Sequence, residues 1–339
     1  MLNGHGDDIQ YHVAANFSSN VFYGGAQEEL IAHLSASLYK INRYPEVIAT
    51  SLRESIAAHH QVSPQQVIPV NGAIEAIYLI AQAFPEGNTT LFYPSFSEYE
   101  DACKLYHHTI NFLPFESLLQ APVFNSRLVF ICNPNNPTGT ALEREKMRQM
   151  IKANPGTIFV IDEAYEAFTN KETSCMPLLE ELNNLIVIKS LTKQFSIPGL
   201  RLGYIVSHSQ LIDKLLLYKM PWTVNALAIE AGLFIVKNLI SKPFPVKELI
   251  TETAWLTNRI SSMAEIVVFP SDTSFFLCKL KQGNAAELKD YLINRHGILI
   301  RDASNFRGLS AGYFRIATQR RTHNEGLIKA LQQWTTQVS

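Results

Sequence analysis

Lys193 closes the string Ser190-Leu191-Thr192-Lys193, and Arg201 follows within Pro198-Gly199-Leu200-Arg201-Leu202-Gly203-Tyr204. A primary amine condenses with an aldehyde to an imine, while hydroxyls and a guanidinium hold a phosphate. Together these residue types suit a phosphorylated aldehyde such as pyridoxal 5′-phosphate. The apolar run 185–188 reads as a buried strand, so Lys193 falls in the loop just beyond a carboxyl end, where open α/β sheets collect ligands. Partial desolvation there would lower the pKa of its ammonium and free the amine. Such strings also occur in plain surface turns, so the other strand ends have to be asked the same question.

They answer consistently. Asn133-Pro134-Asn135-Asn136-Pro137-Thr138-Gly139 comes directly after the apolar run 128–132. Its prolines and glycine stiffen a turn that presents the Asn136 amide to a phenolate such as the O3′ of the cofactor. Asp162 ends the next run, in Val160-Ile161-Asp162-Glu163-Ala164-Tyr165. A carboxylate there can pair with a protonated pyridine nitrogen, a contact of about 1.5–3 kcal/mol that keeps the ring an electron sink. Tyr165 is placed to add a second hydrogen bond to O3′. In Val70-Asn71-Gly72-Ala73-Ile74-Glu75-Ala76 a glycine opens a helix, whose free amides and positive dipole end suit a dianion. Ser190, Thr192 and Arg201 would complete that cradle. Phe96, in Tyr93-Pro94-Ser95-Phe96-Ser97-Glu98-Tyr99, is placed to stack on the pyridine ring.

The elements that must position these residues are legible as a rhythm. Short apolar runs at 67–70, 89–93, 128–132, 157–161, 185–188 and 202–206 alternate with helical stretches, the pattern of an α/β fold with a mostly parallel central sheet. After Asn71-Gly72, the residues Ile74, Ile77, Tyr78 and Ala81 fall on one helical face. Beyond Pro221 come helical stretches over 225–240 and 246–264, strands over 266–269 and 275–280, a helix over 285–295, strands over 298–301 and 313–317, and a last helix. Residues 26–240 are assigned to a large cofactor-binding domain. Residues 1–25 and 241–339 are assigned to a smaller α+β domain, with Lys242-Pro243-Phe244-Pro245 as the candidate hinge.

Bulk composition narrows the partners. A chain of 339 residues with 47% hydrophobic content can bury a large core, and a net charge of −1 offers no basic field for nucleic acid. No apolar run reaches the length of a membrane span. Cys103, Cys132, Cys175 and Cys278 have no metal-ligand spacing, and the first residues lack the basic and apolar regions of a signal peptide. The expectation is a small-molecule enzyme with reduced thiols in a cytoplasm, without metal, nucleic acid or membrane.

These segments, in this order, resemble the fold-type I pyridoxal 5′-phosphate enzymes, the aspartate aminotransferase superfamily, over nearly the whole chain. Two branches are most similar: histidinol-phosphate aminotransferases and the L-threonine-O-3-phosphate decarboxylases of cobalamin synthesis. The second is the closer, on His5-Gly6, Asn16-Phe17-Ser18-Ser19-Asn20, the block 190–204, Met220-Pro221-Trp222-Thr223-Val224-Asn225-Ala226-Leu227, and Ile300-Arg301-Asp302-Ala303-Ser304-Asn305-Phe306-Arg307-Gly308-Leu309. The pattern departs at Phe22-Tyr23, where the decarboxylases usually carry Asn-Pro, and at Ser274, where an asparagine is usual.

The resemblance implies that Lys193 carries the cofactor covalently, Asp162 binds its ring nitrogen, and Asn136 and Tyr165 bind O3′. It implies that Ser190, Thr192, Arg201 and the amides of Gly72 and Ala73 hold the phosphate, with Tyr44 reaching it from the other subunit of a homodimer. Arg315 would take the substrate carboxylate, and Arg301, His5 and Asn20 the substrate phosphate. Lys193, Asp162 and Phe96 would be the catalytic set. The implied reaction is decarboxylation of L-threonine O-3-phosphate to (R)-1-amino-2-propanol O-2-phosphate. An aminotransferase of the histidinol-phosphate or aromatic type is the alternative. A non-enzymatic cofactor-binding regulator is a third reading, which would need a DNA-binding domain or a damaged site.

Overall fold

A computed structural model describes Tyr11 and residues 13–338. The chain begins with a two-residue strand β1 (Ala15–Asn16) and helices α1 (Glu28–Ala36) and α2 (Thr50–His60). It then alternates through β2 (Val67–Val70), α3 (Gly72–Ala83), β3 (Asn88–Tyr93), α4 (Glu98–Leu105), β4 (Thr109–Pro114), β5 (Leu128–Cys132), α5 (Arg144–Ala153), β6 (Ile158–Asp162), β7 (Leu185–Ser190), β8 (Gly203–Ser207) and α6 (Ser209–Leu216). Helices α7 (Ala226–Asn238) and α8 (Val246–Ser261) lead into β9 (Ile266–Val268), β10 (Phe275–Leu280), α9 (Ala285–His296), β11 (Ile298–Leu299), β12 (Arg301–Asp302), β13 (Tyr313–Ala317) and α10 (Arg321–Val338).

Seven strands form the main sheet in the order β2-β8-β7-β6-β5-β3-β4, all running one way except β8, which is antiparallel to both neighbours. The central strands β5, β6 and β7 are apolar because both their faces are covered. Along β5, Leu128, Phe130 and Cys132 face one core with α3, α4 and α6, while Val129 and Ile131 face the other with α2, α5 and α7. That two-residue alternation is the pleat itself. The expected α/β architecture with a mostly parallel sheet is what the chain adopts.

A third core lies between the antiparallel sheet β12-β13-β10-β9 and helices α8, α9 and α10, built on Phe276, Phe314, Ile316 and Leu292. Phe17, fully buried, belongs to it. The expected single strand over 298–301 is two strands in different sheets: β11 pairs in parallel with β1, and β12 pairs with β13. The chain changes sheet at Ile300, a buried residue that an apolar pattern cannot distinguish from strand continuation. Strand β4 was not among the expected elements. It is an edge strand of mixed exposure, without the continuous apolar run that marks its neighbours. No helix of the described residues is long and apolar enough to cross a membrane.

Candidate active site

The parallel strands end along one edge of the main sheet, and the chemistry-bearing segments start there. Lys193 lies on the turn after β7, Asp162 is the last residue of β6, Asn136 stands in the loop after β5, Phe96 follows β3, and Gly72 opens α3 after β2. Because β8 runs backwards, its amino end meets this same edge, which is how Arg201, just before β8, joins the others. The side chains line one cavity of about 280 Å³.

Its floor is a cradle for a dianion. Gly72 has φ +75°, and a Cβ there would sit 2.6 Å from Nη2 of Arg201, so only bare backbone lets the guanidinium lie against the start of α3. The Asn71 side chain does not cap that helix start, and first-turn N–H groups have no intrahelical acceptor. Burial holds the Arg201 guanidinium below the usual arginine range. The Ser190 and Thr192 hydroxyls are 2.8 Å apart and both line the cavity, as does Ala73. The donors and the cation converge as a phosphate requires.

Asp162 is buried, and burial raises its carboxyl above the usual range. The Tyr99 hydroxyl, donating to Oδ2 at 2.8 Å, and the Ala164 N–H, donating to Oδ1 at 3.0 Å, oppose that shift and favour the carboxylate. Tyr165 packs edge-on against Phe275, and burial pushes its hydroxyl up to about 12, so it stays a donor. Asn136 accepts a hydrogen bond from Arg315 on its side-chain oxygen, which leaves its amide hydrogens to donate. Phe96 meets Tyr99 edge-on at 5.8 Å.

Two cations from the small sheet also line the cavity. Arg315 in β13 and Arg301 in β12 are adjacent in register and both buried. Arg315 donates to neutral acceptors, Asn136 Oδ1 and the Ser18 carbonyl, and its Nε has no partner. Burial, with Arg301 nearby, pulls its pKa down to about 10. A desolvated guanidinium with spare donors is stabilised by an incoming anion. The side-chain amide of Asn20 is likewise buried, beside the Tyr165 hydroxyl, and it lines the same cavity.

Two expected residues stand apart. Tyr44 is 86% exposed and packs against Trp222, away from this cavity. His5 lies outside the described residues. The reading from sequence missed Tyr99, whose only signal was its position three residues after Phe96, at the start of α4. It also gave no role to Cys132, Asn305 or Phe306, which line the cavity, nor to Glu163. Glu163, wholly buried behind Asp162, pairs with Lys189 at 2.7 Å and accepts from Ser174 Oγ and the Cys175 N–H. The segment carrying Asn20 is tied to the lysine turn, since the Phe22 N–H donates to the Lys193 carbonyl at 3.0 Å.

The family model for aminotransferases of class I and II matches residues 14–331. The chain belongs to that family. As a class I and II aminotransferase family member it is a pyridoxal 5′-phosphate-dependent enzyme, and the cradle, carboxylate and lysine described above fit that cofactor. Within the family it is similar to a histidinol-phosphate aminotransferase of Caldanaerobacter subterraneus subsp. tengcongensis, 34% identical over 86% of this chain and 84% of the relative. The threonine-phosphate decarboxylase of Salmonella typhimurium is 28% identical over 96% of this chain and 92% of its own. The solved structure of L-threonine-O-3-phosphate decarboxylase from Porphyromonas gingivalis superposes with a TM-score of 0.92 at 38% identity, covering 94% of this chain and 99% of that one.

Proposed function

We propose that the protein decarboxylates L-threonine O-3-phosphate, releasing carbon dioxide and (R)-1-amino-2-propanol O-2-phosphate, a step of cobalamin synthesis. The observation that carries this reading is the pair Arg301 and Arg315, two buried cations on one wall of the cavity that also holds Lys193 and Asp162. A substrate with both a phosphate and a carboxylate satisfies both. Bound, pyridoxal phosphate withdraws electrons from the substrate's Cα.

The chain's own residues do the rest. Arg315 takes the carboxylate through paired N–H donors, a geometry lysine lacks. Arg301, with Asn20 and the undescribed His5, takes the substrate phosphate. Asp162 keeps a proton at the ring nitrogen, while Asn136 and Tyr165 donate to O3′. Lys193 carries the cofactor and afterwards moves a proton at Cα. Which bond at Cα breaks depends on how the two arginines orient the substrate.

The unit we propose is a homodimer in which Tyr44 reaches the partner's cofactor phosphate. Support comes from exposed apolar side chains around Tyr44, namely Leu38, Tyr39, Ile41, Val47 and Met220. The cytoplasm is the proposed compartment, consistent with four free, buried cysteines. The large domain is proposed to span 26–240, and the small domain 1–25 with 241–339.

Transamination of histidinol phosphate is the second reading, favoured by the aminotransferase relative at 34% identity. Two incubations separate them. With threonine phosphate, release of carbon dioxide and the amino alcohol phosphate supports decarboxylation. With histidinol phosphate and 2-oxoglutarate, glutamate formation without carbon dioxide release from the first substrate overturns it.

A further inference from the structure

Both oxygens of Asp162 are already engaged by the chain: Oδ1 by the Ala164 N–H and Oδ2 by the Tyr99 hydroxyl. The second contact is the unusual one, because it is a side chain reaching in from a different element, α4, and it is rigid. The Tyr99 ring is 3% exposed, stacks on Phe130 of β5 at 5.6 Å and 24°, and meets Phe96 edge-on at 84°. A ring clamped on two sides cannot swing its hydroxyl away. Nor does the hydroxyl readily give up its proton: burial, reinforced by the charge of Asp162, raises its pKa well above the usual tyrosine range. Tyr99 is therefore a fixed donor to one lone pair of a buried carboxylate.

A carboxylate that accepts such a bond is a weaker base than a bare one in the same cavity. We propose that Tyr99 is a positioning residue that sets how firmly the cofactor's ring nitrogen holds its proton. By donating to Oδ2 it weakens Asp162 as a base, so the proton shared between Asp162 and the ring stays on the ring. The inference rests on Asp162 being the partner of that nitrogen. It extends that reading by naming the group that tunes it. The packing of Phe96 on Tyr99 means that the aromatic ring placed to stack on the cofactor also braces the tuning hydroxyl.

The test uses full-length protein loaded with pyridoxal phosphate carrying nitrogen-15 in the ring, whose resonance reports protonation directly. In Tyr99→Phe, which keeps the clamped ring and removes the donor, the resonance is expected to move from the protonated towards the unprotonated position. The visible band of the lysine-bound cofactor should persist. A parallel fall of about tenfold in kcat with KM within about twofold is expected from loss of one hydrogen bond to a charged group. If Tyr99→Phe does not fold, 4-aminophenylalanine at position 99 keeps the frame with a weaker donor and should shift the resonance part of the way. An unmoved resonance in the folded variant overturns the proposal. Asp162→Asn is the control that separates the two failures: movement there but not in Tyr99→Phe removes Tyr99 alone, while no movement in either removes Asp162 as the partner of the ring nitrogen.

Discussion

The guanidinium of Arg315 donates to the side-chain oxygen of Asn136, joining β13 of the small sheet to the loop after β5 of the large one. This contact fixes which way the Asn136 amide faces. One arginine thus orients an amide that lines the cavity while its own Nε has no partner.

Arg315→Lys should therefore weaken substrate binding and disturb Asn136 together. A single ammonium cannot reproduce the fork, and the lost charge-assisted bonds amount to about 1.5–3 kcal/mol. The expected outcome is a rise in KM of roughly 10-fold to 100-fold, read by steady-state kinetics with threonine phosphate. An unchanged KM would remove Arg315 from the substrate site.

Gly72→Val should act on the cofactor instead. Its φ of +75° and the approach of Arg201 leave no room for a side chain. Strain and displacement of the guanidinium are expected to cost about 1–3 kcal/mol, lowering pyridoxal phosphate affinity by roughly 10-fold or more. Titration of the apoprotein followed by absorbance measures it, with circular dichroism to show that the fold persists.

His60 makes the fold sensitive to acid. Burial, with His59 and Lys189 adding to it, lowers its pKa from 6.5 to about 4, and its Nε2 lies 2.8 Å from the Tyr204 hydroxyl. The unfolded chain thus binds more protons than the folded one between those values, so stability present above pH ~6.5 is lost as the pH falls towards ~4. His60→Gln should flatten that loss by about 1–2 kcal/mol, after allowance for solvent reaching the ring. Thermal melts at neutral and acid pH, compared between the two proteins, check the slope.

Ile41→Asp tests the proposed assembly. Ile41 is exposed in the apolar surroundings of Tyr44, and a charge there opposes burial against a second copy. Light scattering should show a monomer, with activity reduced at least about tenfold because Tyr44 no longer reaches a neighbouring cavity. A monomeric variant with full activity would remove Tyr44 from the shared site.

Much of this arrangement was legible in the sequence because chemistry and punctuation coincide. Asp162, Asn136, Lys193 and Gly72 each follow an apolar run, and a run that long and uniform announces a covered strand and its end. What was illegible depends on geometry between distant segments. Nothing near Tyr99 marks that its hydroxyl turns towards Asp162, and the reversal of β8 that delivers Arg201 leaves no trace in an apolar pattern. The handover at Ile300 between two sheets was equally hidden, since a buried residue looks the same whether its strand continues or changes partners. Tyr44 is the complement: its string gave no fold signal, and in the single chain it stands apart from the cavity.

Strand β1 has its pairing partner in β11, so Ala15 and Asn16 stay unmatched during synthesis until Ile298 and Leu299 have been made. A contact spanning so much chain is slow to close. On the ribosome, the earliest described strand is among the last to be satisfied, and Ser18 cannot accept from Arg315 before then. A stalled or prematurely terminated product would leave Phe17 without the core it packs into, an exposed aromatic hook for chaperones.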